Sequence, residues 1–162
     1  VNDIHPSARV SPLCDIEQSL RGNRVVVGAG SMIDSFVKIK FAGGTGDVVL
    51  GARTFINSGC VLYSGNGIRI GDHVSVAANV VFAPVNHAFQ RKETLIQEQG
   101  FQASKGGIVV EDDAWIGAGC VLLDGAVVGR GCVVGAMSLV RSALADYGIY
   151  AGNPIQLLGW RQ

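Results

Sequence analysis

Eighteen aliphatic or aromatic residues recur at six-residue intervals along most of this chain. They fall in triplets: Ile4, Val10 and Ile16; Val27, Ile33 and Ile39; Leu50, Ile56 and Leu62; Ile70, Val76 and Phe82. An unbroken run follows, made of Val110, Ile116, Leu122, Val128, Val134 and Val140. Four residues beyond a rung the side chain is often small, as at Ala8, Cys14, Ser31, Thr54, Cys60, Ala114, Cys120, Ala126, Cys132 and Ser138. Six is a whole multiple of the two-residue period of a strand and not of the 3.6-residue period of a helix. Rung and small residue therefore share one face only if the chain is extended.

Three six-residue sides close an eighteen-residue triangular coil. Val110 and Val128, Ile116 and Val134, and Leu122 and Val140 are each eighteen apart, and stack directly in coils about 4.8 Å apart. One coil cannot bury its inward side chains, so the coils must stack into a prism. The spacing thus predicts an all-β solenoid of parallel strands. Gly follows many rungs by one residue (Gly28, Gly51, Gly71, Gly117, Gly129, Gly135), where the expected reason is a sharp corner whose backbone conformation side chains resist. A β-sandwich is the alternative for short Val/Ile runs, but its hairpins vary in length and the interval from Val110 to Val140 does not.

The remaining composition narrows the class. A chain of 162 residues is long enough for one well-buried domain, here residues 1–162. Thirteen basic and thirteen acidic side chains give no net charge, against a nucleic-acid groove or a polybasic membrane patch. Apolar residues make up 48% but are dispersed, with no run long enough to span a bilayer. Cys14, Cys60, Cys120 and Cys132 all occupy the small repeat position and none forms a CxxC pair. Buried free thiols of a reducing cytoplasm are expected rather than a disulfide framework or a zinc site. No signal peptide is visible, although the chain starts at Val1 without Met; a cytoplasmic location is the expectation that the free thiols give.

The ladder slips four times. The steps from Ile16 to Val27 and from Ile39 to Leu50 are eleven, that from Leu62 to Ile70 is eight, and that from Phe82 to Val110 is 28. The last is an excursion of about residues 84–107, an external loop on a rigid repeat, where binding or chemistry is expected. Its polar mid-section, Gln90 to Gln99, has too thin an apolar spacing to define more than a helical turn. Beyond the ladder, residues 146–162 are expected to form a short C-terminal extension.

The ladder, a loop opening with Asn86 and His87, the segment from Val109 to Gly119 (VVEDDAWIGAG) and the ending Tyr150-Ala151-Gly152-Asn153-Pro154 resemble the left-handed β-helix acyltransferases. The similarity is to the sugar O-acetyltransferases that include galactoside and maltose acetyltransferases and the enzymes that decorate surface polysaccharides. Left-handedness comes from this resemblance and runs against the usual right-handed crossover. The resemblance implies acetyl-CoA as co-substrate with no metal, a carbohydrate acceptor, a homotrimer with sites between subunits, and His87 as general base. An imidazole, which in water titrates near about pH 6.5, is suited to take a hydroxyl proton during attack on a thioester. The group on its second ring nitrogen, a carboxylate or a backbone carbonyl, is left open. On the same basis Asn86, Asn57, Asn79 and Trp115 are candidate acceptor contacts, with Phe89 and Phe101 as further apolar faces. Gly117, Ala118, Gly135 and Ala136 would let a pantetheine chain approach, with an amide near Gly117 or Ala118 at the oxyanion. The phosphate-binding lysines of the family are replaced here by Arg141-Ser142-Ala143 and Pro154-Ile155-Gln156, so Arg141 is the expected charge, with Lys105 or Arg161 as others.

Three other readings bear on function. N-acetylation of a nucleotide-linked amino sugar uses the same fold and base, and a non-catalytic hexapeptide scaffold would not need His87. Metal enzymes of the γ-class carbonic anhydrases share the prism but need three His around one ion. His5 and His73 are expected at surface corners, His5 far from the other two by coil count.

Overall fold

The computed structural model describes residues 2–162. Its strands form three parallel sheets that are the faces of a triangular prism. Face A runs through Asp3–Ile4, Val25–Val27, Val48–Leu50, Ile68–Ile70, Ile108–Val110, Val127–Val128 and Ala143–Leu144. Face B runs through Arg9–Val10, Met32–Ile33, Phe55–Ile56, Ser75–Val76, Trp115–Ile116, Val133–Val134 and Gly148–Ala151, and ends on Gln156–Trp160. Face C holds Asp15–Ile16, Lys38–Lys40, Val61–Tyr63, Val81–Ala83, Val121–Leu123 and Leu139–Val140. The expected register is observed: Val110 pairs with Val128, Ile116 with Val134 and Leu122 with Val140. No helix among the described residues is long and apolar enough to cross a membrane.

Every rung from Val27 to Val140 is 0 or 1% exposed, and together they form one continuous core. The first coil differs. Ile4 is 39% exposed, and Val10 and Ile16 are only half-buried, because among the described residues no coil lies beneath them. The small positions are also inside, and their polar atoms are satisfied by carbonyls of the next corner. The Ser31 hydroxyl donates to Gly51 O (2.7 Å) and that of Thr54 to Gly71 O (2.6 Å). The thiols of Cys60 and Cys120 donate to Ala77 O and Gly135 O, each at 3.1 Å. All four cysteines are free, and burial pushes the Cys60 and Cys132 thiols up to about 11, which keeps them protonated and unreactive.

The corners correct the expectation about glycine. Positive φ does not fall one residue after the rung but three: at Arg53 (51°), His73 (58°), Asn79 (59°), Asp113 (60°) and Met137 (60°), and at Gly30, Gly59, Gly119 and Gly131. Where Gly directly follows a rung, the next coil leaves little room for a side chain. A Cβ on Gly51 would lie 2.7 Å from the carbonyl carbon of Gly71, and one on Gly117 2.5 Å from the amide of Ala136. Between these two positions on the A/B edge, carboxylates tie coils together: Asp72 Oδ1 accepts from Ala52 N (2.7 Å), and Asp112 Oδ1 from Asp72 N (2.9 Å).

The chain end folds back. Gly148–Ala151 is still a parallel strand of face B, and Gln156–Trp160 then pairs with it antiparallel. Arg161 fixes that return through Nη1, which donates to Asp113 Oδ2 (2.8 Å) and Gly131 O (3.0 Å). The two kinds of corner position separate by mutation. Gly51→Ala should destabilise by about 1–3 kcal/mol through overpacking, whereas Arg53→Gly, which relieves a left-handed side chain, should stay within about 1 kcal/mol of the parent. Urea denaturation of both variants measures the difference.

Candidate active site

All four ladder slips follow a face C rung, namely Ile16, Ile39, Leu62 and Phe82. Every insertion therefore emerges at one edge of the prism, between faces C and A. The shorter ones stack into a ledge under the long loop: Asn66 N donates to Pro84 O (3.1 Å), and Gly43 packs so closely on Val85 that a Cβ would meet its methyls at 2.9 Å.

The loop leaves face C after Val81–Ala83 and returns to face A at Ile108–Val110. Its neck is a short antiparallel pairing in which Ala88 N donates to Gly100 O (3.0 Å), Gln102 N to Asn86 O (2.8 Å), and His87 bridges Phe101. At the tip, Gln99 acts as a local strut. Its side chain accepts from Arg91 N (3.1 Å) and donates to Arg91 O and Thr94 O (both 2.8 Å). Only a 3-10 turn, Ile96–Glu98, forms there, since no apolar stripe exists to hold a longer helix against the prism. The returning limb is fixed by Asp124, whose carboxylate accepts from Lys105 N and Gly107 N.

His87 is exposed, and its ring lies on Phe101 with centroids 4.9 Å apart at 44°. Among the described residues neither ring nitrogen has a hydrogen-bond partner, and the side-chain neighbour of the imidazole is the ring of Phe101. Phe101 is fourteen residues from His87 in sequence, and only the pairing of the loop's two limbs could have revealed it.

The other candidate residues lie elsewhere on the prism. Asn57, Asn79, Gly117, Ala118, Gly135 and Ala136 stack on the edge between faces B and C, and Trp115 stands on face B, half exposed, beside His73, Ser75, Val133 and Arg161. Face B lies opposite the edge that carries His87, so one chain does not bring these groups together with the imidazole. Asn86 and Arg141 do share the C/A edge with His87, Arg141 exposed at a cleft of about 270 Å³ with Ser142, Asn153 and Pro154. Several residues have local structural explanations. The Asn57 side chain donates to Val76 O (2.7 Å), and Asn79 occupies a left-handed corner that Asn tolerates. The amides of Gly117 and Gly135 are occupied by Val134 O and Tyr150 O (both 2.7 Å), which removes Gly117 as an oxyanion donor. Ala118 is exposed and its N–H has no acceptor among the described residues. Arg161 is committed to Asp113 and is not a free charge.

His5 and His73 sit on the A/B edge three coils apart, and His87 on the C/A edge. No group of three His, Cys, Asp or Glu side chains converges among the described residues.

Residues 47–82 match the hexapeptide repeat of succinyl-transferase, and residues 107–142 match the bacterial transferase hexapeptide (six repeats). Two curated relatives are similar. Gamma carbonic anhydrase 2, mitochondrial, of Arabidopsis thaliana is 32% identical over 70% of this chain and 44% of its own length. Galactoside O-acetyltransferase of Lactococcus lactis is 29% identical over 67% of this chain and 50% of its own. The chain thus spans about half the length of the curated relatives it matches. Among solved structures, a hexapeptide-repeat acetyltransferase of Vibrio cholerae complexed with acetyl-CoA superposes with a TM-score of 0.74 at 28% identity, covering 84% of this chain and 71% of that one. AntD, an N-acyltransferase from Bacillus cereus, superposes with a TM-score of 0.83 at 22% identity, over 99% of this chain and 84% of that one, and shares the fold. Two stretches of the chain thus match hexapeptide-repeat models, and its prism is the left-handed parallel β-helix that it shares with hexapeptide-repeat acyltransferases.

Proposed function

We propose that this protein is an acetyltransferase that moves the acetyl group of acetyl-CoA to a sugar hydroxyl, in surface polysaccharide biosynthesis, with His87 as general base. The observation that carries the reading is the presentation of His87. On a prism whose other corners are tight, one loop holds an exposed imidazole with both nitrogens unengaged, beside Asn86 and above a ledge of stacked insertions. The similarity to a galactoside O-acetyltransferase and to a structure complexed with acetyl-CoA supports the donor and the acceptor class.

The chemistry follows from the atoms. A ring nitrogen of His87 takes the hydroxyl proton as the sugar oxygen attacks the thioester carbonyl carbon. The carbonyl oxygen gains negative charge, for which the free N–H of Ala118 is the available donor. The C–S bond then breaks, the ester is formed, and the coenzyme A sulfur leaves with the proton that the imidazole returns.

His87 and Ala118 lie on different edges of one chain, so this site requires two copies. A contact between the C/A edge of one copy and face B of the next joins unlike surfaces, and such heterologous contacts close into a ring when the rotation between copies is a whole fraction of a turn. An exposed apolar stripe lies where the contact needs it: Leu13, Phe36 and Met137 on the B/C edge, Phe55 and Trp115 on face B, each 38–76% exposed. A homotrimer is therefore expected in light scattering coupled to size exclusion; a monomer at micromolar concentration would leave the site half built.

His87→Ala should lower turnover by about 10² to 10⁴ while leaving thermal melting nearly unchanged, since the side chain is exposed. Unchanged turnover would sink the assignment. Arg141→Ala should weaken acetyl-CoA far more than an acetyl-pantetheine thioester, which lacks the nucleotide phosphates; equal weakening would remove Arg141 from the cofactor site. A panel of sugars and amino-sugar nucleotides, followed by coenzyme A release and product mass spectrometry, tests the acceptor. Ester products are expected, and an acetamide as sole product would move the reading to an N-acetyltransferase.

A further inference from the structure

We propose that Asp124 is a positioning residue that holds His87 at its working place through the backbone of the loop's returning limb; the proposal rests on His87 being the base. Asp124 lies two residues after the rung Leu122, on the C/A edge, one coil beyond the point where the loop departs. It is 4% exposed. Its Oδ2 accepts from Lys105 N at 2.8 Å and its Oδ1 from Gly107 N at 2.9 Å, while Gly125 N donates to Gly107 O at 2.7 Å. A carboxylate withdrawn from water is tolerated only where donors replace its hydration. Among the described residues no Lys or Arg pairs with it, and both hydrogen bonds it accepts come from main-chain amides of the loop. The carboxylate and the limb therefore hold each other.

The clamp connects to the imidazole in a few steps. Gly107 is pinned from below as well as above: its φ is 79°, and a Cβ there would lie 2.8 Å from Asn66 O on the coil beneath. Six residues back along the same limb, Phe101 lies on the His87 ring, and Gln102 N holds Asn86 O at 2.8 Å. A limb released at residues 105–107 frees the surface on which the imidazole rests. Asp124 does not touch the reacting atoms; it acts through Gly107, Phe101 and then His87.

The test is Asp124→Asn, which keeps the shape but turns one acceptor into a donor facing an N–H. Amide hydrogen exchange should quicken at least about tenfold at Lys105, Gly107, Asn86–Ala88 and Gly100–Gln102, with the strands Val81–Ala83 and Val121–Leu123 still protected. Asp124→Ala, which removes both acceptors, should loosen the same segments at least as much. With acetyl-CoA and a responsive acceptor, kcat should fall at least about tenfold while KM for acetyl-CoA stays within about twofold. Because Asp124 acts through His87, the double variant with His87→Ala should be no slower than His87→Ala alone. Unchanged exchange in the loop, additive losses in the double variant, or unfolding of the whole prism in both variants would each overturn the proposal. Should His87→Ala retain full turnover, the base assignment falls, and exchange at residues 86–88 still decides whether Asp124 clamps the loop.

Discussion

The in-register hydrogen bonding of one coil to the next is the constraint on which the rest of the structure depends. Parallel strands about 4.8 Å apart place like positions of successive coils over one another, so each position in the hexad becomes a column with one environment. Rungs become a core column, small residues an inner lining whose hydroxyls and thiols reach the carbonyls of the following corner, and where Gly follows the rung, as at Gly28, Gly51, Gly71, Gly117 and Gly129, it lies against the next coil. A single substitution is then felt by the coils above and below and hardly beyond them, as in other one-dimensional architectures.

Function is confined by the same constraint. The A/B and B/C edges carry no extra residues between the rungs from Val27 to Val140. The C/A edge alone takes insertions, and it does so in four consecutive coils, so the long loop stands on a shelf rather than hanging from the prism. A group on such a shelf is held by main-chain contacts to several coils at once, which is how a loop can approach the rigidity that general-base geometry demands. The separation of His87 from Trp115 and Ala118 on one chain makes assembly part of the proposed catalytic design.

Much of the fold was legible because the hexad is a local and repeated signal. Val110 and Val128 could be paired by counting, and the burial of Cys60, Cys120 and Cys132 at the small position could be read from spacing alone. The slips at Ile16, Ile39, Leu62 and Phe82 also showed where the scaffold opens. Other features depend on which coil meets which, and spacing does not carry that. Gly51 and Arg53 are both corner residues, yet one is limited by the backbone of the neighbouring coil and the other by its own φ. The contact of Phe101 with His87 and the bonds of Asp124 to Lys105 and Gly107 join segments fourteen to nineteen residues apart within and around an irregular loop. No period marks such pairs. Residue type makes Asn57 and Asn79 candidate acceptor contacts; it does not reveal that Asn57 also donates to Val76 O or that Asn79 takes a left-handed corner.

The reversed strand Gln156–Trp160 has a consequence for how copies of this molecule can meet. A stack of parallel coils presents open backbone donors and acceptors at its end, and an identical stack would continue it indefinitely, as a protofilament grows by adding layers. The antiparallel strand breaks that translational symmetry on face B. Its outer edge runs against the direction of every coil, and its hydrogen bonds come in the alternating close and wide pairs of antiparallel pairing, not the even spacing of parallel strands. A second prism arriving head to tail would meet there a strand of opposite direction, so on that face the parallel ladder of the coils is not simply repeated across the five-residue strand.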